Sequence, residues 1–114
     1  MTRPSEAEKK RIGSFRIDVE LIHGFPEIVK TFFRKLDCIV IRAESHYSTS
    51  CVHYVAISNA FDAIEWNEAP PAYPVDVNYL KSKAKGTWVS SITLGDRGRP
   101  ARRSTINVPE EASP

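Results

Sequence analysis

Five side chains in the sequence have the chemistry to ligate a metal or to serve as nucleophile and base: His23, Cys38, His46, Cys51 and His53. The usual signatures of a structural or catalytic zinc site, Cys-x-x-Cys and His-Glu-x-x-His, do not occur among them. Cys51 and His53 are two residues apart, so on a strand they face the same way. A packed thiol and a hydrogen-bonded histidine explain that pair more readily than a metal does, and no metal and no cofactor are expected. No Gly-x-Ser-x-Gly elbow or cysteine-hydrolase signature is present. Ser45, Ser48 and Ser50 surround His46 in what reads as a polar loop, which already accounts for them. A dyad of Cys51 with His46 or His53 is the one arrangement left for nucleophilic chemistry. Asp62, Glu65 and Glu68 recur three apart and share a face if their segment is helical. Acid–base work would also need a pocket and separated pKa values, so a solvated acidic face, or an acidic patch that steers a basic partner, suits them better. The segment Gly95-Asp96-Arg97-Gly98 lacks the Lys-Ser/Thr of a phosphate-cradling loop. The chain therefore reads as non-enzymatic.

A second set is basic and aromatic. Arg42, Tyr47, Tyr54, Tyr73, Tyr79 and Trp88 accompany Lys81, Lys83 and Lys85, then Arg97, Arg99, Arg102 and Arg103. An open antiparallel sheet bearing such residues can stack bases and track a phosphate backbone. No RNP-type motif supports this, and aromatic residues in strands usually pack.

The elements that position these residues follow from periodicity. Residues 14–23 alternate, with Phe15, Ile17, Val19 and Leu21 on one face, which predicts a half-buried strand ended by Gly24. Pro26 and Glu27 suit a helix N-terminus, and Ile28, Val29, Phe32, Phe33 and Leu36 recur at helical spacing, predicting an amphipathic helix over 25–36. Residues 38–43 and 50–58 are rich in β-branched types and predict a hairpin turning near Tyr47. In that register Ile39, Ile41, Ala43, Cys51, His53, Val55 and Ile57 face the helix, and Arg42 and Tyr54 face away. Residues 59–69 hold Phe61, Ile64 and Trp66 among acidic residues and read as containing a helical turn. Pro70, Pro71 and Pro74 exclude a central strand there. Tyr73, Val75, Val77 and Tyr79 alternate, and Thr87 to Leu94 reads as a last strand. The expected order is β-α-β-β-β-β, an α+β fold with one helix on a mostly antiparallel four- to five-stranded sheet.

The chain is the length of one domain, 114 residues with 41% hydrophobic and 26% charged content. Residues 1–13 read as a flexible arm, with Ser5 and Glu8 as a capping box. Residues 14–95 read as the domain, and 96–114 as a basic, then acidic, disordered tail. No apolar run is long enough to span a bilayer and the N-terminus has no signal-peptide pattern, so a cytoplasmic protein without membrane contact is expected. The net charge of +2 hides an asymmetry: residues 37–80 carry Arg42 alone against Asp37, Glu44, Asp62, Glu65, Glu68 and Asp76. Such polarity suits a charged partner.

The stretch from Val52 to Val75, VHYVAISNAFDAIEWNEAPPAYPV, covers about a fifth of the chain. It resembles a pattern in small bacteriophage-encoded accessory proteins of unknown function, in which a Tyr-x-Ala-x-Ser-x-x-Phe run precedes an acidic turn and a Pro-x-Tyr strand. That resemblance carries no catalytic residues. It implies a protein that binds and blocks a host protein complex, including anti-defence roles of the anti-CRISPR kind, in the host cytoplasm.

Two functional readings follow. The first is a non-enzymatic binding protein acting stoichiometrically on a protein partner, with Arg42, Tyr54, Trp66, Tyr73 and Trp88 as interface anchors and Asp62, Glu65 and Glu68 steering association. The alternative is a nucleic-acid-binding module using Lys81, Lys83, Lys85, Arg97, Arg99, Arg102 and Arg103. The prolines at 70–74 discourage sheet-to-sheet pairing there, while the last strand leaves a homodimer open.

Overall fold

The computed structural model describes residues 9–46 and 48–109. The capping box at Ser5 and Glu8, the hairpin tip at Tyr47 and the last residues of the acidic tail lie outside them. The chain is α+β. Its elements are β1 (Lys9–Asp18), α1 (Val19–Gly24), α2 (Pro26–Leu36), β2 (Ile39–His46), β3 (Cys51–Ile57), β4 (Ala63–Glu65), β5 (Val75–Ser82), β6 (Gly86–Leu94) and β7 (Arg103–Asn107).

The strands divide into two sheets, β2-β3-β1-β4 and β6-β5-β7, antiparallel except for the parallel β5–β7 pair. Ser14 joins them. Its neighbour on one side is Val55 of β3, while its N–H donates to the Pro71 carbonyl (2.9 Å) and its carbonyl accepts from the Tyr73 N–H (2.8 Å). The proline segment thus lies beside β1 through a single bridge at Ala72, as a segment poor in N–H donors must.

Two local expectations change. The alternation from Phe15 stops at Asp18, and Val19 to Gly24 are helical. Ile17 and Leu21 are also four apart, so both periods fit and the helix wins where its face meets the core. Phe25 breaks α1 from α2 with extended φ (−135°), as the residue before Pro26 must. Asp37 closes α2 in the left-handed region, its N–H reaching the Phe33 and Arg34 carbonyls. Residues 63–65 form a short strand on β1, not a helical turn.

The boundaries expected for the domain also shift. Lys9 to Gly13 belong to β1, and Ile12 and Gly13 are buried there. At the other end, β7 pairs with β5 from Val77↔Arg103 to Lys81↔Asn107. All five β7 residues are exposed, so burial left no alternating signature in a segment whose composition reads as tail.

One core holds the layers together. Phe15, 1% exposed, packs edge-on to Phe32 (5.5 Å between ring centroids) and against Phe33, Tyr54 and Phe61. Val29 and Leu36 of α2 and Val75, Val77, Val89 and Ile92 of the second sheet complete it. Gly13 is required where Phe61 and Tyr73 cross β1: a Cβ there would stand 2.8–2.9 Å from their rings. Ser58 closes the junction after β3, its hydroxyl donating to the Leu36 carbonyl (2.6 Å).

Candidate functional site

The first sheet has a helix-covered face and an opposite face, buried in part along β1 and exposed along β2, and the pairing fixes which residue lies on each. Direct cross-strand partners share a face. Phe15, Tyr54 and Ala43 form one row beneath the helices, with Phe33 5.1 Å from Tyr54. The opposite face therefore carries four rows across β1, β3 and β2: Ile12–Ile57–Ile39, Ser14–Val55–Arg42, Arg16–His53–Glu44 and Asp18–Cys51–His46. The rows grade from apolar to ionisable along the strands.

For β3, Ile39 and Val40 this is the reverse of the orientation expected from sequence, whereas Ala43 keeps its expected side. Pairing runs His46↔Cys51 to Arg42↔Val55, then shifts at a bulge between Val40 and Arg42. The pairing next to the turn sets His46, not Ala43, against Cys51, an offset of an odd number of residues that exchanges the faces of β3 relative to Arg42 and Ala43; the extra residue, Ile41, then returns Ile39 and Ile57 to one face. Arg42 does point away from the helices. Tyr54 does not: it is a packing residue, and burial raises its phenol pKa.

Within the third and fourth rows, Glu44, His46 and His53 bring one carboxylate and two imidazoles together, their ligating atoms all within 4.8 Å of one another. The two imidazole centroids are 5.7 Å apart. Burial, then the charges of Arg16 and His46, lower the His53 pKa, and Glu44 acts against them. β2 lies at the edge of its sheet and is exposed along its length, with Ile39 68% and Ile41 53% exposed.

Between this face and the second sheet lies a cleft of about 540 Å³, whose lining includes Arg16, His53, Arg99, Arg102 and Arg103. Two of these four arginines are tied to carboxylates. Arg99 grips Asp76 through both terminal nitrogens (2.6 and 3.2 Å), and Arg103 donates to Asp18 (3.1 Å) and to the Tyr79 hydroxyl (3.4 Å). The Arg99 hydrogen bond is the chief reason the Asp76 pKa is depressed.

The other residues singled out from sequence scatter. Tyr73 is buried, its hydroxyl accepting from the Asp62 N–H (2.8 Å), and cannot anchor a partner. Trp66 is 63% exposed beside β4, with the Lys10 ammonium donating to its carbonyl (2.9 Å) and lying 5.7 Å from its ring. Trp88 is half-buried beneath Lys85. Asp62 pairs with Arg97 (3.3 Å), and the Glu68 carboxylate accepts from the Glu65 N–H (2.7 Å). These three acids therefore sit before, at the end of and after a strand, not on one helical face. Lys81, Lys83 and Lys85 are exposed around the β5–β6 turn, away from the arginine-lined cleft. Arg16 and Glu44 belong to the site but not to the candidates that residue type and spacing single out. Arg16 stood on the polar side of an alternating strand, and Glu44 was assigned to a loop because β2 extends three residues further than its β-branched run.

The Cys51 thiol is directed to Thr49, with no hydrogen bond to His53 among the described residues. Cys51 is buried with Sγ 3.1 Å from the Thr49 hydroxyl and lines a separate cleft of about 340 Å³ with His23 and His46. Among the described residues no cysteine or serine side chain hydrogen-bonds a histidine side chain, and both cysteines are free thiols. No helix among those residues is long and apolar enough to cross a membrane. No known protein family, curated protein or solved structure matches the chain.

Proposed function

We propose that this chain is a non-catalytic binding protein that acts stoichiometrically on a protein partner, and that the partner adds an extended strand to the free edge of β2. The observation that carries this reading is the exposed edge strand itself. Its backbone offers an unpaired row of donors and acceptors, and Ile39, Val40, Ile41 and the neighbouring Ile57 are all exposed beside it. Natural edges are usually protected by covering, by proline or by shortness; β4, at the other side of the same sheet, is three residues long, whereas β2 is eight. The partner strand has branched apolar residues to set against Ile39 and Ile41. Beyond the bulge it has an acidic residue for Arg42, which carries no ion pair among the described residues. The reading accords with what the resemblance of residues 52–75 to small phage accessory proteins implies.

The test compares wild type, Ile41→Pro on β2, and Ile106→Lys on exposed β7 in quantitative co-purification and in mass measurement of the isolated chain. A protein partner bound by wild type and Ile106→Lys but lost with Ile41→Pro supports the proposal. A homodimer abolished by Ile41→Pro makes the occupant a second copy. Partner capture indifferent to Ile41→Pro overturns it. The four arginines facing one cleft favour a second reading, an anionic or nucleic-acid ligand. Steep loss of oligonucleotide binding with salt, removed by Arg16→Ala and Arg102→Ala, would establish that instead.

A further inference from the structure

We propose that Glu44, His46 and His53 form a binding site for a divalent transition-metal ion of the zinc class. The sheet geometry brings them together. Glu44 and His46 are two apart on β2 and so face one way, and His53 is the direct cross-strand partner of Glu44. Two imidazoles and one carboxylate are a donor set suited to zinc, nickel, copper or iron(II), and unsuited to calcium or magnesium, which take oxygen ligands. The ligating atoms already lie within 4.8 Å of one another. A tetrahedral ion with bonds of about 2.0–2.2 Å holds its ligands roughly 3.4 Å apart. Two of the three ligands, Glu44 and His46, lie on a strand that is exposed along its length, so their side chains have room to rotate towards an ion.

The charges around the site set its behaviour. Arg16 on β1 is the cross-strand partner of His53 on its other side, and Arg42 stands one row away on β2. Both cations oppose protonation of His53, which favours the neutral imidazole a metal requires. They also oppose the metal's own charge, and Glu44 is the carboxylate that offsets them. Three protein ligands leave a fourth position open. Because β2 is the free edge of its sheet, that position can be filled by water or by a side chain brought in by whatever pairs with the edge. The metal site does not depend on the proposed partner, since it rests on residues of this chain alone.

The experiment is a calorimetric titration of Zn²⁺ into the full chain near pH 7, repeated with Co²⁺ and followed by visible absorption. The expected result is saturable binding of one ion per chain. His46→Ala and His53→Ala each weaken it by more than the roughly 10- to 100-fold that loss of an outer-shell partner costs. Glu44→Gln weakens it measurably, and Cys51→Ser leaves it unchanged. Binding falls as pH drops through the imidazole range. Imidazole NMR of the wild-type chain reads the same site without any substitution: the His46 and His53 ring signals shift with Zn²⁺ and those of His23 do not. Absence of saturable binding, binding retained in both histidine variants, or binding lost in Cys51→Ser with no shift at His46 and His53 overturns the proposal.

Discussion

Asp76 and Arg99 form a two-pronged ion pair, 2.6 and 3.2 Å, and the same carboxylate accepts the Arg102 N–H at 2.9 Å. Three bonds on one side chain of β5 therefore fix the loop that delivers β7. Because the pKa of Asp76 is lowered in the folded state, its contribution to stability is present above the ordinary carboxylate value of about 3.9 and is lost as pH falls through the lowered one. The urea midpoint of wild type should exceed that of Asp76→Asn by a constant margin from neutral pH down to about pH 5, and the margin should shrink towards zero on further acidification. Hydrogen exchange at residues 103–107 should quicken in Asp76→Asn before exchange in β1 does.

Gly13→Ala places a methyl group 2.8–2.9 Å from the rings of Tyr73 and Phe61. Neither ring is the tip of a flexible chain, and Phe61 is fully buried. Overpacking of this kind costs about 1–3 kcal/mol, so a lowered urea midpoint with an unchanged slope is expected. A variant as stable as wild type would mean that the two rings do not lie over β1.

Phe15→Ala removes the ring that touches Phe32, Phe33, Tyr54 and Phe61. The cost of about 3–5 kcal/mol is a large part of the roughly 5–15 kcal/mol available to a domain of this size. The variant should be partly unfolded at 37 °C or lose cooperativity, as circular dichroism melting will report. Ile39→Lys, on the exposed edge, should stay within about 0.5 kcal/mol of wild type while abolishing partner binding.

His53 should titrate below the ordinary histidine value of about 6.5, since burial and then Arg16 disfavour its charged form. A depressed folded-state pKa contributes stability above the unfolded value and loses it as pH falls through the folded one. Arg16→Ala should raise the NMR midpoint of the His53 ring. A midpoint that does not move would remove Arg16 from its surroundings.

The elements with an unambiguous period were legible in the sequence. The helical spacing of Val29, Phe32 and Leu36 gave α2 within a residue, and the β-branched runs gave β3 and the core of β6. What escaped was whatever depended on one residue of register or on partners far along the chain. The turn pairs Cys51 with His46 where a hairpin centred on Tyr47 sets it against Ala43, and this offset is what put Tyr54 on the outer face in the sequence reading and hid the alignment of His53 with Glu44. β7 was invisible because strand identity there comes from pairing with β5, not from burial. The histidines stand among the candidate ligands in the sequence, but Glu44 does not, because it joins them only where β2 runs as far as His46.

The unequal flanks of the first sheet bear on how far it can polymerise. Growth beyond β4 has only three residues of backbone to template it, so new strands can enter along β2 alone. If two molecules meet there about a twofold axis, each occupies the other's single long entry point. Assembly through that sheet would then arrest at a closed pair and give no fibril nucleus, however concentrated the solution.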